Sequence, residues 1–95
     1  MITFNHICED IPYVIFKENY EKSLNADQKN IEALCISSYS NKSKEVNSRY
    51  VNLKFIDDKE FIFFSNYRSP KSKEFESHPQ ITALIYWNSI NVQIR

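Results

Sequence analysis

Ninety-five residues carry twelve basic and twelve acidic side chains, with seven Phe, six Tyr and one Trp among the apolar 42%. That length and apolar content suit one small domain with a packed core, and the zero net charge removes the electrostatic case for a nucleic-acid or membrane-surface protein. No apolar run approaches the roughly 18 residues of a bilayer span, and the first residues lack the basic and apolar regions of a signal peptide, so cytoplasmic residence is expected.

The chain opens on a segment containing His6 and Cys8. No second pair completes a metal site, so this segment is read as a mobile terminus. A disulfide between Cys8 and Cys35 is not expected in a reducing compartment. Residues 12–24 read as an amphipathic helix. Asp10 suits the cap, Pro12 the first turn, and Tyr13, Phe16, Tyr20 and Leu24 recur at helical spacing as a core stripe. A polar link follows over residues 25–30.

Residues 31–39, 46–55 and 60–66 read as three strands. Their connections are too short for crossovers, which predicts an antiparallel meander. The chain has no glycine, where average usage of about 7% would give about six or seven. Tight turns must therefore use Asn, Asp, Ser or Lys, and a glycine-rich phosphate loop is excluded. Residues 69–77 predict a short helix, with Ser69 as cap, Pro70 at the first position and His78 as a C-terminal cap. A fourth strand is expected over residues 81–87 and a fifth beginning at residue 90.

Two features carry chemistry. Arg68, Lys71 and Lys73 crowd the start of the predicted helix, where cations are unfavourable unless an anion is bound; Ser65 and Ser69 add hydroxyls nearby. In the second strand, parity places Arg49 with Val51, Leu53 and Phe55, and Lys54 on the opposite face with Ser48, Tyr50 and Asn52. An arginine on an apolar face is costly unless paired, and a phosphate would answer it. Either a bulge separates Arg49 from Lys54 or the two serve different partners. No Ser/His/Asp set is evident, so any catalysis would depend on a cofactor.

The run Ser48-Arg49-Tyr50-Val51-Asn52-Leu53-Lys54, followed by Phe61-Ile62-Phe63-Phe64-Ser65-Asn66-Tyr67, Ser69 and Lys71, resembles the pyridoxamine 5′-phosphate oxidase family. His78-Pro79, Tyr86-Trp87 and Gln93-Ile94-Arg95 extend the likeness, which covers the family's N-terminal half. The resemblance implies an α+β chain, mainly antiparallel β: a split β-barrel, incomplete here, with an N-terminal helix and a short helix between the third and fourth predicted strands. It implies FMN as cofactor, bound at a homodimer interface, and oxidation of pyridoxine or pyridoxamine 5′-phosphate to pyridoxal 5′-phosphate with oxygen as acceptor. By position, Arg49 and Lys71 are expected to bind the FMN phosphate, with Ser69 beside them. Arg49, Tyr50, Val51 and Lys54, with Phe64 and Ser65, are expected to wall the flavin, Gln93 to contact it, and Lys54 to reach the substrate phosphate.

This chain departs from the family at Pro70 (usually Arg), Phe64 (often Tyr), Val92 (usually Arg) and Ser72 (commonly Gly). Pro70 removes a cation and an N–H donor from the expected phosphate site. The family's C-terminal half, which completes the barrel and binds most of the substrate, has no match. One domain over residues 1–95 is therefore expected, truncated relative to the family and homodimeric or larger through its unpaired edges. The alternatives are a flavin-binding or dimerisation module without turnover, and a remnant without activity. Aromatics at Phe61, Phe63 and Phe64 superficially suit a single-stranded nucleic-acid platform, which zero net charge disfavours.

Overall fold

The computed structural model describes residues 1–64 and 78–95. In chain order the elements are β1 (Thr3–Asn5), α1 (Ile11–Asn25), β2 (Ala33–Ser40), β3 (Glu45–Asp57), β4 (Glu60–Phe63), β5 (Ile81–Trp87), a 3₁₀ turn (Asn88–Ile90) and β6 (Val92–Ile94). The expected short helix over residues 69–77 lies outside the described residues.

The sheet runs β1-β3-β2-β5-β6, with β4 also on β3. All pairings are antiparallel except β1 with β3. β3 is long enough to serve two sets of neighbours. Its first half pairs with β2, from Ser40↔Glu45 to Ala33↔Asn52. Its second half takes β1 through Thr3↔Phe55 and β4 through Leu53↔Phe63. The sheet curls round α1 without closing, so the architecture is α+β with a partial barrel.

Helix α1 starts where Pro12 fits the first turn, and its apolar stripe is buried at Phe16 and Tyr20. Asp10 occupies the cap position, but its side chain makes no capping bond. Its carboxylate instead meets Lys59 Nζ at 3.0 Å, which holds Lys59 above its ordinary value and ties the β3–β4 turn to the helix start. The C-terminus closes with paired bonds, Gln28 N–H to Ser23 O at 3.0 Å and Asp27 N–H to Leu24 O at 3.1 Å. This is the usual glycine-type helix stop, with Asp27 holding φ of 55° in place of glycine.

Without glycine, every left-handed position falls on another residue: His6, Asp27, Asn30, Lys44, Asp58 and Asn91 among those described. Asn and Asp supply four of the six, because their short polar side chains tolerate this region best. The absence of glycine thus shows directly in the turns.

Trp87 lies at the centre of the core, 1% exposed, with Ile36 and Leu53 fully buried beside it. Its ring stands 5.3 Å from Phe16 and 6.0 Å from Tyr20, and its Nε1–H donates to Ile31 O at 2.9 Å. The expected mobile terminus is instead part of this assembly. Ile2 is buried, its N–H donates to Tyr20 Oη at 2.9 Å, and Phe4 packs edge-on to Tyr20 at 5.2 Å. β1 occupies the edge of β3 that β2 leaves vacant. The expected fifth strand is shorter than its apolar pattern suggests, because the 3₁₀ turn and left-handed Asn91 use its first residues.

Candidate functional site

β3 positions most of the candidate residues. Up to Leu53 its odd-numbered side chains face the core: Arg49 and Val51 are half-buried and Leu53 is buried, whereas Ser48, Tyr50 and Asn52 are exposed. This is the parity expected from the sequence. The register with β4 then slips by one residue between Leu53 and Phe55. Lys54 is the extra residue of this bulge, and it is exposed. Beyond it, Ile56 rather than Phe55 is the buried residue. A bulge bends the strand and re-aims its side chains, so Arg49 and Lys54 leave β3 in different directions.

Arg49 stands opposite Ile36 in the β2–β3 ladder. Its Nη1 donates to Ile36 O at 3.2 Å and to Ser38 Oγ at 2.8 Å. Both bonds orient the guanidinium from the neighbouring strand β2. Ser38 itself is 2% exposed, on the same face of β2 as buried Leu34 and Ile36.

The other expected residues are dispersed around this strand. Tyr50, 78% exposed, points from the opposite face into a groove of about 490 Å³ that it lines with Cys35, Leu84 and Tyr86. Val51 packs against the core. Phe64, 69% exposed, follows the end of β4 and meets Phe55 edge-on, with ring centroids 6.2 Å apart. It thus stands beside the bulged part of β3. Gln93, on β6, pairs with Tyr86 of β5 and lines a second, apolar groove of about 360 Å³ between α1, Phe61 and β6. In the strand order, β2 and β5 lie between β6 and β3. The groove that Gln93 lines also takes in Phe61 of β4, the strand paired with the second half of β3. Ser65, Ser69 and Lys71 lie outside the described residues, as does Pro70.

The remaining expectations resolve simply. His6 Nδ1 meets Asp57 Oδ1 at 2.7 Å on the surface, Cys8 is buried, and both cysteines are free. His78 packs edge-on to Tyr39 at 5.3 Å. Glu32 is held below the ordinary carboxylate value of 4.5, chiefly by its hydrogen bond to the Met1 amine at 2.9 Å, with a weaker attraction from Lys54. Ser38 was not among the expected residues. Its one signal in the sequence is a polar residue at the apolar parity of Leu34 and Ile36.

Known proteins identify the ancestry. Over 87 residues, 92% of this chain, it is 33% identical to pyridoxine/pyridoxamine 5′-phosphate oxidase 1, chloroplastic, of Arabidopsis thaliana. Over 87 residues it is 31% identical to the pyridoxine/pyridoxamine 5′-phosphate oxidase of Crocosphaera subtropica. A 48-residue stretch is 42% identical to the oxidase of the same name from Thermosynechococcus vestitus. The chain is related to one part of the pyridoxine/pyridoxamine 5′-phosphate oxidases. It spans 16%, 40% and 23% of the length of these three relatives, respectively. No family model matches the chain. Among the described residues no helix is long and apolar enough to cross a membrane.

The described residues suit the phosphate end and one ring face of a flavin nucleotide better than its full outline. Arg49 supplies an oriented guanidinium, Lys54 an exposed ammonium at the bulge, and Phe64 an exposed ring beside them.

Proposed function

We propose that the chain forms the phosphate-holding part of an FMN-dependent pyridoxamine/pyridoxine 5′-phosphate oxidase-like protein. The observation that carries this reading is Arg49. Its guanidinium is oriented on the core-facing side of β3 by the Ile36 carbonyl and the Ser38 hydroxyl. Such a group suits a dianionic phosphate, which takes paired N–H donors from a planar fork.

In this reading Arg49 and Lys71 hold the FMN phosphate, with Ser65 and Ser69 beside it. Tyr50, Val51 and Phe64 line the ring, and Lys54 reaches the substrate phosphate from the bulge. FMN, when bound, supplies the redox chemistry, taking a hydride from the pyridoxamine or pyridoxine phosphate and yielding it to oxygen. The residues of this chain bind and orient; none is assigned a proton-transfer role. The free thiols of Cys8 and Cys35 accord with a reducing, cytoplasmic setting.

A second reading is a flavin-binding or dimerisation module without turnover. The exposed Tyr50, Leu84 and Tyr86 offer an apolar surface for a second copy. An absorbance spectrum of the purified protein, its mass by light scattering, and anaerobic addition of pyridoxamine 5′-phosphate separate the two. The oxidase reading predicts a yellow dimer whose flavin band bleaches. Bound flavin without bleaching selects the module, and a colourless protein that takes up no FMN removes both.

A further inference from the structure

We propose that the groove on the outer face of the sheet, opposite the face that carries Arg49, binds a planar aromatic carboxylate. The inference goes beyond the FMN reading and does not rest on it. On this face Cys35 of β2 is paired with Tyr50 of β3 on one side and with Leu84 of β5 on the other. Strand alternation puts Ala33 on the same face as Cys35, and Tyr86 on the same face as Leu84. Two small side chains thus form a floor between two tyrosines that stand 78% and 54% exposed. The groove holds about 490 Å³, within the roughly 300–1,000 Å³ usual for small-molecule sites. Its tyrosines offer flat ring faces to another ring.

One end of this groove is polar, and its hydrogen bonds run in a fixed direction. Ser89 N–H donates to Gln28 Oε1 at 2.8 Å, and Gln28 Nε2 donates to the Lys29 carbonyl at 2.9 Å. A backbone N–H can only donate and a backbone carbonyl can only accept, so the Gln28 amide has one permitted orientation. The other hydrogen of Nε2 goes to Asn88 Oδ1 at 2.9 Å. Asn88 must therefore turn its oxygen to Gln28, which leaves its Nδ2 hydrogens as the open end of the network among the described residues. Lys29, joined to the same network through its carbonyl, is the one charged residue lining the groove among those described. Its ammonium has no ion-pair partner among the described residues. An ammonium and an oriented amide donor at one end of an aromatic-walled groove match the two oxygens of a carboxylate.

The probe is 2-naphthoate, with the neutral 2-naphthamide as its isostere. Occupancy is read at the floor of the groove, as protection of Cys35 from alkylation by iodoacetamide, with peptide mass mapping to separate it from buried Cys8. Naphthoate is expected to slow Cys35 alkylation saturably, and at lower concentration than naphthamide. Asn88→Asp keeps the oxygen that Gln28 needs and replaces the donor with an acceptor, so it should weaken naphthoate by about tenfold or more. Lys29→Gln should weaken naphthoate by about two- to fivefold, the range of an exposed ion pair, and leave naphthamide unchanged. Protection by neither probe, equal protection by both, or protection that survives Asn88→Asp overturns the proposal. Cys35 that is shielded without any probe, and more so at higher protein concentration, gives this face to a second copy and overturns it as well. Tyr50 lines the ring in the FMN reading, so FMN is run in parallel. FMN that leaves Cys35 reactive supports a separate site; FMN that protects Cys35 as naphthoate does gives the groove to the flavin and overturns the proposal.

Discussion

Replacing Trp87 with Phe tests the packing on which the site rests. The indole is 1% exposed, stands 5.3 Å from Phe16 and 6.0 Å from Tyr20, and donates to Ile31 O at 2.9 Å. Phenylalanine keeps a six-membered ring there but removes the pyrrole portion. That is roughly two to three buried methylene-sized groups, or about 2 kcal/mol of lost burial. Leaving the Ile31 carbonyl without its donor adds about 1 kcal/mol. The expected destabilisation is about 3 kcal/mol, equivalent to a fall in Tm of about 12–24 °C for a domain of this size. Trp87 is the sole tryptophan, so unfolding in urea must be followed by far-UV circular dichroism rather than by fluorescence. A loss below about 0.5 kcal/mol, the range of ordinary surface substitutions, would refute the placement of the indole at the core centre and its bond to Ile31.

Three further outcomes follow from local chemistry. Ser23 Oγ is buried in α1 with no partner among the described residues; Ser23→Ala should stabilise the protein by about 1 kcal/mol, and a lower urea midpoint would mean that the hydroxyl is bonded. Lys44 holds φ of 57° in the β2–β3 turn, so Lys44→Gly should raise stability by about 0.5–1 kcal/mol, and a loss would place Lys44 outside the left-handed region. Glu32, depressed mainly by the Met1 amine, contributes stability that is fully present above its unfolded value near 4.5 and is lost as pH falls through its lower folded value. The stability gap between wild type and Glu32→Gln should therefore be constant from neutral pH down to that range and close below it; a gap that widens on acidification contradicts the sign of the shift.

Local pattern located most of the fold. The helix expected over residues 12–24 is observed as Ile11–Asn25, and the strand over residues 81–87 as Ile81–Trp87. Both are long enough for periodicity and punctuation to agree. β1 escaped because three residues carry no period, and its strand character comes entirely from the β3 edge and Tyr20. The Asp10 cap failed for a tertiary reason, since Lys59 on a distant turn claims the carboxylate.

The candidate site was legible to the same extent. Parity alone put Arg49 on the core face and Lys54 away from it, and the bulge at Lys54 is one of the two arrangements that this parity left open. The partners of Arg49 were not legible, because the pairing of Ile36 and Ser38 with it depends on the register between two strands.

The central claim is that β3 presents Arg49 to a phosphate-bearing flavin. Equilibrium titration of the purified wild-type chain with FMN and with riboflavin, at low and moderate salt, tests it most directly. The account predicts saturable binding of both, tighter for FMN, with the FMN advantage shrinking as salt screens the exposed part of the phosphate contact. Binding of neither ligand, or equal affinity for the two at every salt concentration, would contradict it.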